Sequence, residues 1–323
     1  MNYCKRCVLS DNIPSVVIGS NEICNYCGSY QRETINAASI DLLEKYKGKA
    51  EYDVLLAYSG GKDSTYTLCI LREKYNLRVL TMTFDNGFLS PETFANIRGI
   101  TEKLDSDNII ISPSKTKIMN IFRAALRDKS LPPKALERAS SVCTYCIALV
   151  KSAAYREAIL RSIPLIAFGW TPGQISMNKQ FVKLEHSMVI SSFNAIRKKI
   201  TNEFGTDYES LFFSEKLLID NKDHMPVLFY PFPEGRYDER EILQKISGYG
   251  WIKPAYVDEN STNCLINSFA IKRHIDTYGF HPYAMEVAHL VRSNVITREE
   301  GLRRIRPIDD NNSMINKINE LLN

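Results

Sequence analysis

Tyr58-Ser59-Gly60-Gly61-Lys62-Asp63-Ser64-Thr65 is the stretch on which the fold turns. Ahead of it runs Val54-Leu55-Leu56-Ala57, short and apolar, which reads as a strand buried on both faces. Behind it, Thr65 to Arg72 carries apolar side chains at helical spacing. Strand, glycine-rich turn and helix together aim a row of backbone N–H groups at an anion, and the positive end of the helix dipole adds to the attraction. Gly60 and Gly61 permit backbone angles that a Cβ would forbid and let a phosphate approach the chain. Ser59, Ser64 and Thr65 offer hydroxyls, and Lys62 a charge. A plain tight turn with a capping Ser or Asp explains such an unbroken run of anion-binding residues poorly. The G-x-x-x-x-G-K-[ST] spacing is absent, so the loop is not of the Walker type.

Outward from this loop, strands and helices alternate. Arg78 to Phe84 reads as a second strand ending in the turn Asp85-Asn86-Gly87, and a helix follows from Pro91 through Leu104. Asn108–Ile111 is a third strand, Lys115 to Arg127 a helix, and Pro164 to Gly169 another buried strand that turns at Trp170-Thr171-Pro172-Gly173-Gln174. The series predicts an α/β fold built on a doubly wound parallel sheet, with ligands bound beyond the C-terminal strand ends. The Ser59 loop, the Phe84-Asp85-Asn86 turn, Gly169 and Thr171 all fall on that edge. Asp85 is open to two readings, functional residue or turn former. Three regions are expected: an N-terminal module over 1–38, the nucleotide domain over 39–225 and a mainly helical C-terminal part over 226–323. Ser39 to Tyr46 reads as a linking helix, Pro226–Pro231 as a strand-like piece and Asp238–Ile246 as a helix. Lys179 to Asp223 carries no legible chemistry. His186 and His224 read as surface or core residues. The polar run Asn260–Asn267 around Cys264, followed by His274, His281 and His289, looks like a site. Thr297 with Glu300 three residues on reads as a capping box.

Eight cysteines are present, and six of them form three C-x-x-C pairs. In a reducing compartment such pairs ask for metal or sulfur chemistry rather than disulfides. Cys4, Cys7, Cys24 and Cys27 form two knuckles separated by a hairpin-length insert. That is the ligand set of a tetrahedral structural zinc site, with a redox role as the alternative. The third pair, Cys143 and Cys146, falls near the start of a helix read from Ile147 to about Leu160, where the dipole should lower thiol pKa.

The Ser59 loop resembles the SGGxDS signature of the PP-loop ATP pyrophosphatases, which cleave ATP between the α and β phosphates and use AMP to activate an oxygen. That resemblance implies an adenine nucleotide alpha hydrolase-like fold. ATP would be held by Ser59, Gly60, Gly61, Lys62, Asp63 and Ser64, magnesium by Asp63, and the nucleotide would also meet Phe84, Asp85 and Gly169. Within the superfamily, the order of phosphate loop, C-x-x-C and lone cysteine is similar to that of the cluster-dependent tRNA thiolases. By that likeness Cys143, Cys146 and Cys264 would hold a [4Fe–4S] cluster with one open iron and, with Asp63, carry the catalysis. The alternative is a second zinc or redox pair beside an apolar Cys264. A second resemblance spans both ends of the chain. Tyr3-Cys4-x-x-Cys7-Val8, the second knuckle, the Ser59 loop and Arg292-x-x-x-Ile296-Thr297-Arg298-Glu299-Glu300 look like the N-acetyl sugar amidotransferases of surface-polysaccharide pathways. Both imply adenylation of a substrate oxygen; they differ in whether sulfur or ammonia-derived nitrogen replaces it, and Cys143, Cys146 and Cys264 tilt the reading to sulfur.

Composition bounds the rest. With 323 residues, 44% apolar and 24% charged, the chain can bury a sizeable core, and a net charge of +4 does not by itself argue for nucleic acid. No run approaches a membrane span and no hydrophobic signal-like segment is present, so a cytoplasmic protein is expected. The acceptor stays open among a small molecule, a nucleobase and tRNA. A sulfur-donor protein or an ammonia-supplying glutaminase would be the partner, and a homodimer is entertained.

Overall fold

Val54–Ala57 forms the first strand, β1, and Val54, Leu55 and Leu56 are fully buried, as a strand covered on both faces requires. The structure is a computed structural model that describes residues 1–31, 40–175, 180–232, 237–308 and 313–322. Around β1 stand β2 (Val79–Phe84), β3 (Asp107–Ile111), β4 (Leu165–Phe168), β5 (Phe181–Val182) and β6 (Val227–Phe229). The sheet order is β3-β2-β1-β4-β6-β5. All pairings are parallel except that of β5 with β6, so a short antiparallel strand closes one edge of the expected parallel sheet. Strand order reverses direction between β1 and β4. Such a switch point leaves a crevice beyond the C-terminal strand ends, and the Ser59 loop and Gly169 both stand there.

Helices cover both faces. Ile118, Ile121 and Phe122 from Lys115–Arg127 and Leu149 from Ser141–Leu160 belong to one apolar core, while Leu68, Ile97, Ile100 and Ile246 fill the core on the other side. The helical C-terminal part comprises Ile266–Tyr278, Ala284–Arg292, Arg298–Arg304 and Ser313–Leu322. The sheet takes one strand from beyond residue 225: β6 lies hydrogen-bonded between β4 and β5, with Val227, Leu228 and Phe229 buried in the cores on its two faces. The linking helix covers Ile40–Glu44, and Ser39 lies outside the described residues. No helix among the described residues is long and apolar enough to cross a membrane.

The N-terminal knuckles share a third core with Phe280, Ala284, Val287, Ala288 and Val291. The closing motif secures them. Arg298 donates from Nε to the Cys7 carbonyl (3.0 Å) and from Nη2 to the Cys4 carbonyl (3.0 Å). Gly301 has room for no Cβ, which would come within 2.7 Å of Val291 and 2.9 Å of Val8. Thr297 caps its helix by accepting from the Glu300 N–H, but the reciprocal half of the box is not made; the Glu300 carboxylate pairs with Arg303 and Arg304 instead.

Candidate active site at the switch point

The loop takes its shape from contacts on three sides. Gly60 sits at φ +73°, and a Cβ there would meet Thr93 and Ile97 below 3.0 Å, so glycine is required twice over. The Trp251 indole donates to the Gly60 carbonyl (3.0 Å), and the Lys62 N–H donates to Thr262 Oγ (2.9 Å). Ser59 and Ser64 hydroxyls bond each other at 3.0 Å. Gly169, at the end of β4, lies so close beneath the loop that a Cβ would stand 2.6 Å from Ser64 Cα. Gly169 thus packs on the loop through backbone contact, and Thr171 is buried close by.

Lys62 does not project freely. Its buried ammonium donates to Asp63 Oδ1 (2.8 Å) and to the Tyr237 hydroxyl and lies 3.3 Å from Glu239. Tyr237 in turn donates to Asp63 Oδ1 (2.8 Å), and burial with the Asp63 charge holds its phenol well above the usual range. Tyr237 and Glu239 flank the helix cap Asp238, and apart from that cap nothing in the sequence marks them. A cavity of about 220 Å³ opens over the loop, lined by Ser59, Lys62, Asp63, Ser64 and Gly169 and roofed by the 259–263 segment.

A second cavity of about 220 Å³ shares Ala57, Ser59, Val150 and Asn263 with the first. Its floor includes Met82 and Phe84, and its wall carries Cys143, Cys146 and Cys264. The three cysteines therefore do meet at one cavity. Asn86 ties two of them together, donating from Nδ2 to Cys146 Sγ (3.5 Å) and Cys264 Sγ (3.4 Å). Cys143 Sγ donates to Asn267 Oδ1 (3.4 Å). Asp85, one residue before Asn86, accepts from the Gly87 N–H (2.8 Å) and from Ser112 Oγ (3.2 Å), the bonds of a residue that shapes the turn. The helix begins earlier than predicted, at Ser141. Ser140 caps it by accepting from the Cys143 N–H, and the i, i+3 spacing puts both thiols on one face. Proximity to a helix start does not win: burial pushes Cys143 and Cys146 up to about 12 and raises Cys264, so the bare thiols are neutral.

Three thiols on one cavity wall are a donor set compatible with a multi-iron group. Ligands to one ion crowd together, whereas thiols on different irons of a cluster stand further apart. Among the described residues, only the four N-terminal cysteines have ligand atoms all within 4.8 Å of one another. Beside the three thiols, Asn267 Nδ2 is a buried donor with no partner among the described residues, as sulfide ligands would suit. The N-terminal set fits one tetrahedral ion. Its Cys7–Cys24 sulfur separation of 3.7 Å matches the ~3.8 Å edge of a tetrahedron with 2.3 Å metal–sulfur bonds. All four thiols there are buried; burial would raise Cys4, but N–H groups of Cys24, Cys7 and Arg6 bring it down to about 7.

Two further groups went unread in the sequence. Glu286, on Ala284–Arg292, accepts from Thr171 Oγ1 (2.9 Å) and Gln174 Nε2 (3.1 Å), and burial raises its carboxyl to about 7. Lys151, over the Trp170 ring at 4.5 Å, is lowered by burial to about 8. Of the histidines expected at a site, His274 and His281 are buried side chains packed with Tyr278, Phe280 and Tyr283, outside both cavities.

No family model matches the chain. It is 24% identical over 263 residues to an uncharacterized protein of Methanocaldococcus jannaschii, covering 81% of this chain and 75% of that one. Among solved structures it is similar to the U34-tRNA thiolase NcsA from Methanococcus maripaludis with its [4Fe–4S] cluster (15% identity, 97% of this chain and 93% of that one, TM-score 0.37). It is also similar to an NH3-dependent NAD synthetase from Campylobacter jejuni (14%, 88% and 89%, TM-score 0.37) and an NMN synthetase from Francisella tularensis (14%, 65% and 89%, TM-score 0.32).

Proposed function

We propose that the chain is an AMP-forming ATP pyrophosphatase that adenylates an acceptor oxygen and then replaces that oxygen with sulfur. The observation that carries this reading is the convergence of Cys143, Cys146 and Cys264 on a cavity that shares its wall with the phosphate-loop cavity. The Ser59–Ser64 loop and Lys62 would bind the β and γ phosphates, and Asp63 would hold magnesium against them. The acceptor oxygen attacks the α-phosphorus, the bond to the β-phosphate oxygen breaks, and pyrophosphate leaves with the electron pair, its charge met by loop donors. A sulfur nucleophile then attacks the acceptor carbon and AMP departs with the oxygen. A [4Fe–4S] cluster on the three cysteines would supply an iron with a vacant position for sulfur. Asn86 and Asn267 keep the thiols in register. On the knuckles, we read zinc as a structural ion held by Cys4, Cys7, Cys24 and Cys27.

The test is anaerobic preparation. The protein should be brown with about four irons per chain in addition to zinc, and Cys143→Ser, Cys146→Ser or Cys264→Ser should remove iron and sulfide-dependent AMP release while sparing ATP binding. Iron-free, colourless protein after anaerobic reconstitution sinks the cluster.

One observation favours the second reading, an N-acetyl sugar amidotransferase. The two chain ends that carry that resemblance touch, through Arg298 and the Cys4 and Cys7 carbonyls. On that reading ammonium, not sulfide, drives AMP release with a sugar acceptor.

A further inference from the structure

A third cavity, about 670 Å³, is some three times the volume of either neighbour. It lies within the range of small-molecule sites. It shares Trp170 and Gln174 with the phosphate-loop cavity and Ile147 with the thiol cavity. An acceptor has to reach both the α-phosphate and the sulfur, so it must enter where both cavities can be reached, and this seam meets that condition.

Its lining is chemically biased. Phe193, Ile196 and Tyr230 give an apolar wall, while Arg138, Lys151 and Arg292 bring cationic groups to the same space. Arg138 and Lys151 have no carboxylate partner among the described residues, and they lie near enough to repel: burial, then the Arg138 charge, lowers Lys151. Arg138 is exposed and Lys151 half-buried, so an anion entering here meets two neighbouring cationic groups, one of them already short of solvent. Glu286 is the acid on this lining, and its carboxyl is held by Thr171 and Gln174.

We propose that this third cavity receives the acceptor, a small molecule that lays an apolar portion on the Tyr230 wall and an anionic group, phosphate or carboxylate, on Arg138 and Lys151. The inference rests on the adenylation reading for the acceptor's role. Binding of an anion to the cavity can be tested apart from it.

The experiment follows quenching of tryptophan fluorescence by 4-nitrophenyl phosphate, 4-nitrobenzoate and the neutral 4-nitrobenzamide, with α,β-methylene-ATP binding measured by calorimetry. At least one anionic probe should bind more tightly than the amide, and which one distinguishes phosphate from carboxylate. Arg138→Gln and Lys151→Gln should each weaken that probe by about tenfold or more, leaving amide and α,β-methylene-ATP binding unchanged. The proposal is overturned if both anions bind no better than the amide, if both variants bind them as the native chain does, or if α,β-methylene-ATP displaces them. Displacement by unmodified tRNA overturns the small-molecule assignment. Failure of α,β-methylene-ATP to bind native protein would sink the adenylation reading and leave the cavity's anion preference standing.

Discussion

Gly169→Ala is the sharpest test of how β4 supports the phosphate loop. The added Cβ would lie 2.6 Å from Ser64 Cα, 2.7 Å from Ser64 N and 2.9 Å from Ser64 Cβ. Ordinary contact begins near 3.4 Å, so strand end and loop must part by about 0.8 Å. The obstacle is backbone, not a side-chain tip that could swing away. Overpacking of this kind costs ~1–3 kcal/mol. Ser64 is the residue displaced, so the cost should appear in nucleotide binding, where it corresponds to a roughly tenfold to hundredfold loss of ATP affinity. Gly99→Ala is the control: it lies in the Pro91–Lys103 helix with nothing within 4 Å of the added Cβ, and should stabilise by ~0.5–1 kcal/mol. Calorimetric ATP titration and thermal denaturation of both variants read this out. Gly169→Ala protein with native melting and native ATP affinity would refute the argument.

Asp63→Asn keeps an acceptor for the Tyr237 hydroxyl but removes the charge beside Lys62, so pyrophosphate release should fall by at least about a hundredfold with little loss of Tm. One zinc per chain is expected by elemental analysis, and stripping it, or Arg298→Ala, should expose the 1–31 segment to proteolysis before the sheet unfolds. Glu286 titrates in the opposite sense to a salt-bridged acid. Its folded pKa is raised, so its stabilising effect is complete below the unfolded value near 4.5 and is lost as pH rises to about 7. Glu286→Gln should therefore gain on the native chain across that window, by at most ~3 kcal/mol; parallel pH–Tm curves would contradict the assignment.

What could be read without the structure was what is local. β1, the glycine turn and the helix after it are contiguous, so their residues state the geometry directly, and the helices read from Pro91 and from Lys115 start at those residues. The cysteine pattern revealed the knuckles because four thiols in two short pairs have few other uses. Whether Cys264 joins Cys143 and Cys146 depends instead on Leu265 N–H bonding the Phe88 carbonyl and on Asn86 reaching both sulfurs. No periodicity encodes contacts between such distant segments. The thiol pKa values were misjudged because helix position is visible in a sequence and burial is not. Glu286 and Lys151 lie on helices whose apolar faces read as packing; only the cavities between helices give them a role.

The loop's charge balance explains one requirement of the proposed chemistry. Lys62, 5% exposed, already serves Asp63 and Glu239, and Glu239 also takes Arg304, which Glu300 holds from the other side. The lysine is thus not a free cation awaiting phosphate; its charge is spent on carboxylates that are three-quarters buried. A polyphosphate arriving alone would add negative charge beside Asp63, Glu239 and, above pH 7, ionised Glu286. Unpaired like charges in such a setting cost more than the loop's N–H groups return. Two changes can offset this: Lys62 can exchange Glu239 for phosphate, leaving Glu239 to Arg304, and a divalent cation on Asp63 can enter with the nucleotide. The first needs no movement of the backbone, because Arg304 is in place. On the proposed chemistry the second would make ATP binding depend on the metal through Asp63, so removing this carboxylate should silence pyrophosphate release while Tyr237 and Glu239 still anchor the lysine.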